Sequence, residues 1–283
     1  MPLKLDDFEL RSVSGGRFCL DGGSMFGVVP KPLWERKCPA DERNRIAMDT
    51  NCLLVRRDKH VVLIDTGYGD KASERTRDHF ALQSGRVLLE NLAKAGVQPN
   101  DVDLVIPSHL HFDHAGGCTA RDDGGRLRPA FPKAKYLVQR IEWEDATSEL
   151  PELAGTYLSD DFLPLEEAGV LELIDDGAEP LSGIECHITG GHTRGHHAIT
   201  LGTGHDRAIY VGDICPTAAH LPTFWSMAYD HNARTTRRVK PRILGKAADN
   251  SHVVLFDHDP TLKAARLRRD NKKQFEVLET LDH

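Results

Sequence analysis

Several features are missing from this sequence, and each absence excludes something. No apolar run approaches the ~20 residues that a membrane-crossing helix needs. The opening residues, Met1 to Asp7, place acids where a secretory signal would carry its apolar centre, so the expectation is a soluble, cytoplasmic chain with no membrane partner. The six cysteines (Cys19, Cys38, Cys52, Cys118, Cys186, Cys215) show no paired spacing, which argues against a disulfide framework and against a cysteine zinc site. There is no basic excess either. With 36 Lys and Arg against 43 Asp and Glu the net charge is −7, so no long-range attraction draws the chain to nucleic acid. Low-complexity tracts, repeats and long linkers are lacking as well, and the expectation is one domain over residues 1–283.

What is present is a series of short apolar runs rich in β-branched residues, at 61–64, 104–106, 136–138, 184–188, 208–211 and 253–256, which read as buried strands. Leu88, Leu89, Leu92 and Ala95 form a helical stripe that Gly96 can end. A second helix is expected within 235–248, started or kinked by Pro241. Residues 264–269 and 274–279 flank Asp270-Asn271 as a hairpin. Strands mixed with helices give an α/β class. Polar residues follow the strands: Asp65, His109, His192, Asp213 and His258 each come just after an apolar run, as when a sheet presents a site along one rim.

Histidine is plentiful at fifteen residues, and it clusters. In Ser108-His109-Leu110-His111-Phe112-Asp113-His114-Ala115-Gly116-Gly117, an extended backbone points His109 and His111 to the same side, where both imidazoles can reach one cation. Asp113 and His114 can face a second cation, with the trailing glycines allowing a sharp turn beneath. Imidazole mixed with carboxylate suits zinc-type ions. A surface turn that merely happens to hold three histidines and an aspartate in six residues, directly after a buried strand, is a poor alternative.

This segment resembles the signature of the metallo-β-lactamase superfamily, and other parts of that pattern follow in order. Asp65-Thr66-Gly67 is similar to its first motif, Gly191-His192-Thr193-Arg194-Gly195-His196 to its histidine motif, Gly212-Asp213 to the segment with the bridging carboxylate, and Phe256-Asp257-His258-Asp259 to the final histidine. The resemblance covers about residues 50 to 260. It implies an αββα sandwich with two divalent metal ions per chain, zinc first, with manganese, iron and cobalt also compatible. It further implies that His109, His111 and His192 bind the first metal, that Asp113, His114 and His258 bind the second, and that Asp213 bridges them. Asp65 would orient the metal loop by hydrogen bonding, and His196 or His197 would support a ligand in the same way. The family's oxygen-reducing diiron members place a Glu where this chain has His111, which disfavours redox chemistry.

Such a metal pair implies hydrolysis by a hydroxide held between the two cations, with Asp113 carrying a proton to the leaving group. Residues 21–52 and 222–230 resemble a bacterial branch of the family that contains quorum-quenching lactonases. The activity this implies is opening the ring of N-acyl homoserine lactones, a small-molecule substrate. Met25, Phe26, Trp34, Phe112, Phe224 and Trp225 would either line an apolar groove for the acyl chain or serve as ordinary core. The better-known lactonases carry a substrate-contacting tyrosine three residues after the bridging aspartate; here that position is Pro216, with Tyr229 or His220 as replacements. The alternatives are a hydrolase of organophosphates or aryl esters on the same fold, and a metal-stabilised binding module without catalysis. The apolar segment 21–40 suits a pocket lid and a homodimer contact equally well.

Overall fold

The computed structural model of the chain describes residues 2–153, 155–272 and 274–281. The first half supplies strands β1 (Leu3–Leu5), β2 (Phe8–Asp21), β3 (Arg45–Arg57), β4 (His60–Ile64) and β5 (Leu104–Ile106), then a small ribbon of β6 (Thr119–Arg121) and β7 (Leu127–Pro129), then β8 (Lys135–Gln139) and β9 (Leu171–Ile174). Apart from the ribbon these form one sheet, in the order β1-β2-β3-β4-β5-β8-β9. The second half supplies β10 (Ala178–Leu181), β11 (Ile184–Ile188), β12 (His197–Leu201), β13 (Ala208–Tyr210), β14 (Val253–Leu255), β15 (Ala264–Arg269) and β16 (Phe275–Leu281), which pair in sequence order as a second sheet.

The two sheets face each other across a shared core in which Leu10, Leu53, Val55 and Ile64 of the first meet Ile199, Leu201 and Leu255 of the second. Alternation along β3 sorts its side chains: Leu53 and Val55 point inward, while Cys52 and Leu54 face the helices outside. The outer face of the first sheet is covered by helices Val87–Lys94 and Arg140–Ala146, through Leu88, Leu92 and Trp143. The outer face of the second is covered by helix Ala233–Asp249, through Leu244 and Ala247. Each fully buried aliphatic side chain contributes roughly 1.5–3 kcal/mol. The layers therefore run helix, sheet, sheet, helix, the αββα order implied by the sequence resemblance.

All six expected strands form, within a residue of their expected ends, and the stripe at 88–95 is the helix Val87–Lys94. The helix expected within 235–248 is longer, Ala233–Asp249, and Pro241 neither starts nor interrupts it. Proline removes one backbone donor there, while Leu244 and Ala247 beyond it remain in the core. The turn at Asp270 is longer than a two-residue hairpin, and its carboxylate accepts the N–H groups of Lys272 and Gln274.

Parallel pairing fixes where the chemistry lies. β4 and β5 run parallel, as do β13 and β14, so their carboxyl ends emerge side by side. Asp65 and Ser108 leave the first sheet together, and Asp213 and His258 leave the second. No helix among the described residues is long and apolar enough to cross a membrane.

Candidate metal centre

After β5 the chain runs through Pro107 and Ser108 to His109 and His111, then forms a single helical turn, Phe112–Ala115, that carries Asp113 and His114. Gly116 and Gly117 do not serve the sharp turn expected of them. Gly116 has ordinary helical backbone angles. A Cβ at Gly116 would stand 2.5 Å from the Tyr68 carbonyl oxygen, and one at Gly117 would stand 2.2 Å from that of Thr66. The glycines thus let the Asp65–Tyr68 segment pack directly on the metal loop, where Thr66 donates to the His114 carbonyl through both N–H and hydroxyl (2.7 and 2.8 Å).

The structure gathers all seven residues implied as ligands. The carboxylate of Asp213 lies at the centre and is shared out. Its Oδ2 is 2.9 Å from His192 Nε2 and 3.9 Å from His109 Nε2, whereas its Oδ1 is 3.2 Å from His258 Nε2 and 3.7 Å from His114 Nε2. His111 completes the first group, with Nδ1 2.9 Å from His192 Nε2. Asp113 stands beside the second, 3.5 Å from His258 Nε2 and 3.9 Å from His114 Nε2. Donor atoms of His109, His111, His192 and Asp213 all lie within 4.8 Å of one another, and so do those of His114, Asp213, Asp257 and His258.

Hydrogen bonds behind the cluster fix the direction of each ring. His114 Nδ1 donates to Asp65 Oδ2 at 2.8 Å, His192 Nδ1 to Asp230 Oδ1 at 3.1 Å, and His258 Nδ1 to the Asp49 carbonyl at 3.0 Å. With these rings neutral, each Nε2 presents a lone pair to the centre. Two such atoms, on His114 and His258, face each other at 3.0 Å, a contact that repels unless a cation or a proton lies between them. The buried Nε2 atoms of His109 and His111 have no hydrogen-bond partner. This donor set, with its unmet lone pairs, fits a pair of divalent cations.

Charge balance points the same way. Burial and neighbouring imidazoles hold His109 and His111 well below the usual histidine range. Burial also acts against charge on His114, but Asp65, Asp113 and Asp213 outweigh it and bring the ring up to about 9. His192 rises to about 10 because Asp213 and Asp230 likewise overcome burial. Burial raises the Asp213 carboxyl, yet the charges of His192, His114 and His258 hold it well below the carboxylate range. In the ion-free cluster, protons on histidine compensate the carboxylates; divalent cations would take their place and release them.

Comparison with known proteins agrees with this geometry. The sequence model of the Metallo-beta-lactamase superfamily matches residues 45–258, from the start of β3 to the last histidine of the cluster. The chain belongs to this superfamily. It has the metallo-beta-lactamase fold. An N-acyl homoserine lactonase from Bacillus sp. is 29% identical over 162 residues, covering 54% of this chain and 58% of that protein. The chain thus spans somewhat over half the length of such relatives. A probable metal-dependent hydrolase from Staphylococcus aureus superposes with a TM-score of 0.89 at 32% identity, over 99% of this chain and 100% of that one. The dizinc quorum-quenching lactonase AidC superposes with a TM-score of 0.81 at 21% identity, covering 100% and 98%, and shares the fold.

Around the superfamily cluster, the structure sorts the remaining expectations. Asp65 does orient the metal loop. Besides His114 it accepts the Ser108 N–H (2.6 Å), the Ser108 hydroxyl (3.0 Å) and, from the opposite sheet, the Tyr210 hydroxyl (2.8 Å). Of the two neighbours of the histidine motif, His196 supports the site: its Nε2 accepts the Asp213 N–H at 3.0 Å while Nδ1 bonds Thr189 Oγ1 at 2.6 Å. His197 instead links Gln139 to the Pro107 carbonyl. Met25, Phe26 and Trp34 are core rather than groove, because the segment 21–40 folds inward and stacks Phe26 between Trp34 and His220. His220 is no replacement for the missing tyrosine, since its nitrogens are taken by Thr217 Oγ1 and the Met25 carbonyl. Phe224 stays 71% exposed, and Phe112 and Trp225 are half-buried.

Three supporting residues escaped the sequence reading. Asp230 holds His192. The buried Glu142 accepts the Leu110 N–H (2.9 Å) and the Thr193 hydroxyl (2.6 Å), tying together two loops that carry ligands. Lys240, fully buried on helix Ala233–Asp249, donates to the carbonyls of His220, Pro222 and Trp225 at 2.8 to 3.0 Å. A Lys in the middle of the apolar side of a helix was the one available signal.

Proposed function

We propose that this hydrolase opens the lactone ring of N-acyl homoserine lactones, using two divalent cations held as the sequence resemblance implies. The observation that carries the two-metal reading is the division of one carboxylate, Asp213, between two groups of imidazoles. The lactone is supported by relatives named for that activity, at 25–29% identity. When bound, such cations lower the pKa of a coordinated water and polarise a carbonyl oxygen. The chain's own residues do the rest. Asp113, at the edge of the second group, takes the nucleophile's proton and hands it to the departing ring oxygen. Asp65, Asp230 and Asp49 keep the imidazole rings aimed, and His196 steadies Asp213. Tyr229, whose phenol is raised by burial first and also by the charges of Asp21, Asp113 and Asp213, is a neutral donor for the substrate. Phe224 and Trp225 offer apolar surface to an acyl chain.

The test is a substrate panel on metal-reconstituted protein: an acyl homoserine lactone, an aryl ester and a phosphotriester. Lactone opening faster than either of the others is expected. Brisk phosphotriester cleavage with every lactone left intact would overturn the substrate and keep the hydrolase.

A further inference from the structure

Asp257 is unusual among the buried acids of this chain. It is 1% exposed, and neither carboxylate oxygen has a hydrogen-bond partner. Its backbone is held firmly. Asn51 N–H donates to the Asp257 carbonyl at 2.6 Å, and Asn51 Nδ2 donates to the carbonyls of Phe256 and Asp259 on either side. A carboxylate buried without donors is costly, and the usual remedies are a cation or a proton. No Lys or Arg forms an ion pair with it among the described residues; His258 Nε2 lies 3.7 Å from its Oδ2, and the Asp213 carboxylate is beside it. An Asp257 oxygen lies with His114, His258 and Asp213 inside one span of 4.8 Å, close to the roughly 4 Å across a coordination sphere with bonds of about 2.1 Å.

We propose that Asp257 is a protein ligand of the second cation, joining Asp113, His114, His258 and Asp213, and that it adds a further carboxylate to that position alone. The inference rests on the two-metal reading. The first position offers three imidazoles and one oxygen of Asp213, a nitrogen-rich set suited to zinc. The second offers two imidazoles and the carboxylates of Asp113, Asp213 and Asp257. Oxygen-rich sets with room for more than four donors suit manganese or ferrous iron. The second position therefore takes a harder cation more readily than the first does.

The test is titration of metal-free protein with Zn²⁺ alone and Mn²⁺ alone, in the natural chain and in Asp257→Asn, read by bound stoichiometry and by the rise in Tm on loading. The natural chain takes two equivalents. In Asp257→Asn the second Mn²⁺ binds about 100-fold more weakly or worse, at or beyond the loss that follows removal of an outer hydrogen-bond partner. The first Zn²⁺ is unchanged, and the Tm of the metal-free variant is equal or higher, because a buried unpaired carboxylate has gone. Should the amide fail to fold, Asp257→Ser removes the same charge in less volume. A variant that keeps both Mn²⁺ equivalents at natural affinity overturns the inference, and Asp257 then merely shares a proton with Asp213. A natural chain that takes only one equivalent of either ion defeats the two-metal reading instead, and the two failures are distinguishable.

Discussion

Asp213 Oδ2 lies 2.9 Å from His192 Nε2, while the other oxygen of the same carboxylate turns to His258 at 3.2 Å. One side chain thus faces imidazoles from both halves of the cluster. Asp213→Ala is expected to lose metal from both positions and to abolish hydrolysis, with bound metal falling below one equivalent by elemental analysis. A folded variant that keeps two equivalents would show Asp213 to be structural only.

Glu142 gives a stability prediction. Its carboxylate satisfies Leu110 N–H between two ligands and the Thr193 hydroxyl next to a third. Glu142→Ala strands two buried donors, at about 1–3 kcal/mol each. Denaturant unfolding of metal-free protein should show a loss of about 2–6 kcal/mol in total, and Glu142→Gln, which retains one acceptor oxygen, should recover part of it.

How much of this was legible in the sequence depended on whether neighbours in space were also neighbours in the chain. His109, His111, Asp113 and His114 occupy six consecutive positions, so their chemistry could be read directly. Asp230 and Glu142 are 38 and 32 residues from the atoms they hold, and no local pattern marks them. The longest strand pair, β2 with β3, is not among the apolar runs read from the sequence, and Gly15-Gly16 interrupts the pattern of β2. In the structure these glycines sit at a register shift between Ser14 and Arg17, and a Cβ on Gly15 would lie 2.6 Å from Thr50 Oγ1. Whether an aromatic is groove or core is likewise a tertiary matter: Phe26 and Phe224 look alike in sequence, and only the folding-in of residues 21–40 separates them.

That separation changes where chain-length selectivity should be sought. Phe224→Ala or Trp225→Ala is expected to flatten the dependence of kcat/KM on acyl length, which otherwise rises up to about fourfold per buried methylene at roughly 0.8 kcal/mol. Phe26→Ala should instead lower Tm, by way of about 3–5 kcal/mol for a truncated core aromatic. Comparing short-chain and long-chain lactones in each variant, with a small ester as control, checks both statements.

Tyr229→Phe removes the phenol while keeping the ring. A loss of roughly tenfold in kcat/KM for the lactone, about what one hydrogen bond supplies, is expected with two metals retained. Unaltered kinetics would remove Tyr229 from substrate recognition.

The clip made by Lys240 has a consequence for variation. Its ammonium holds the main chain at 220, 222 and 225 by carbonyl oxygens alone and asks nothing of the side chains there. The path of this rim is therefore anchored independently of the residues displayed at 223 and 224. Under the lactone reading proposed above, those two positions can be exchanged widely, by divergence or by directed evolution, to fit new acyl groups while the main chain stays in place. Substrate range can drift here without disturbing the machinery beneath.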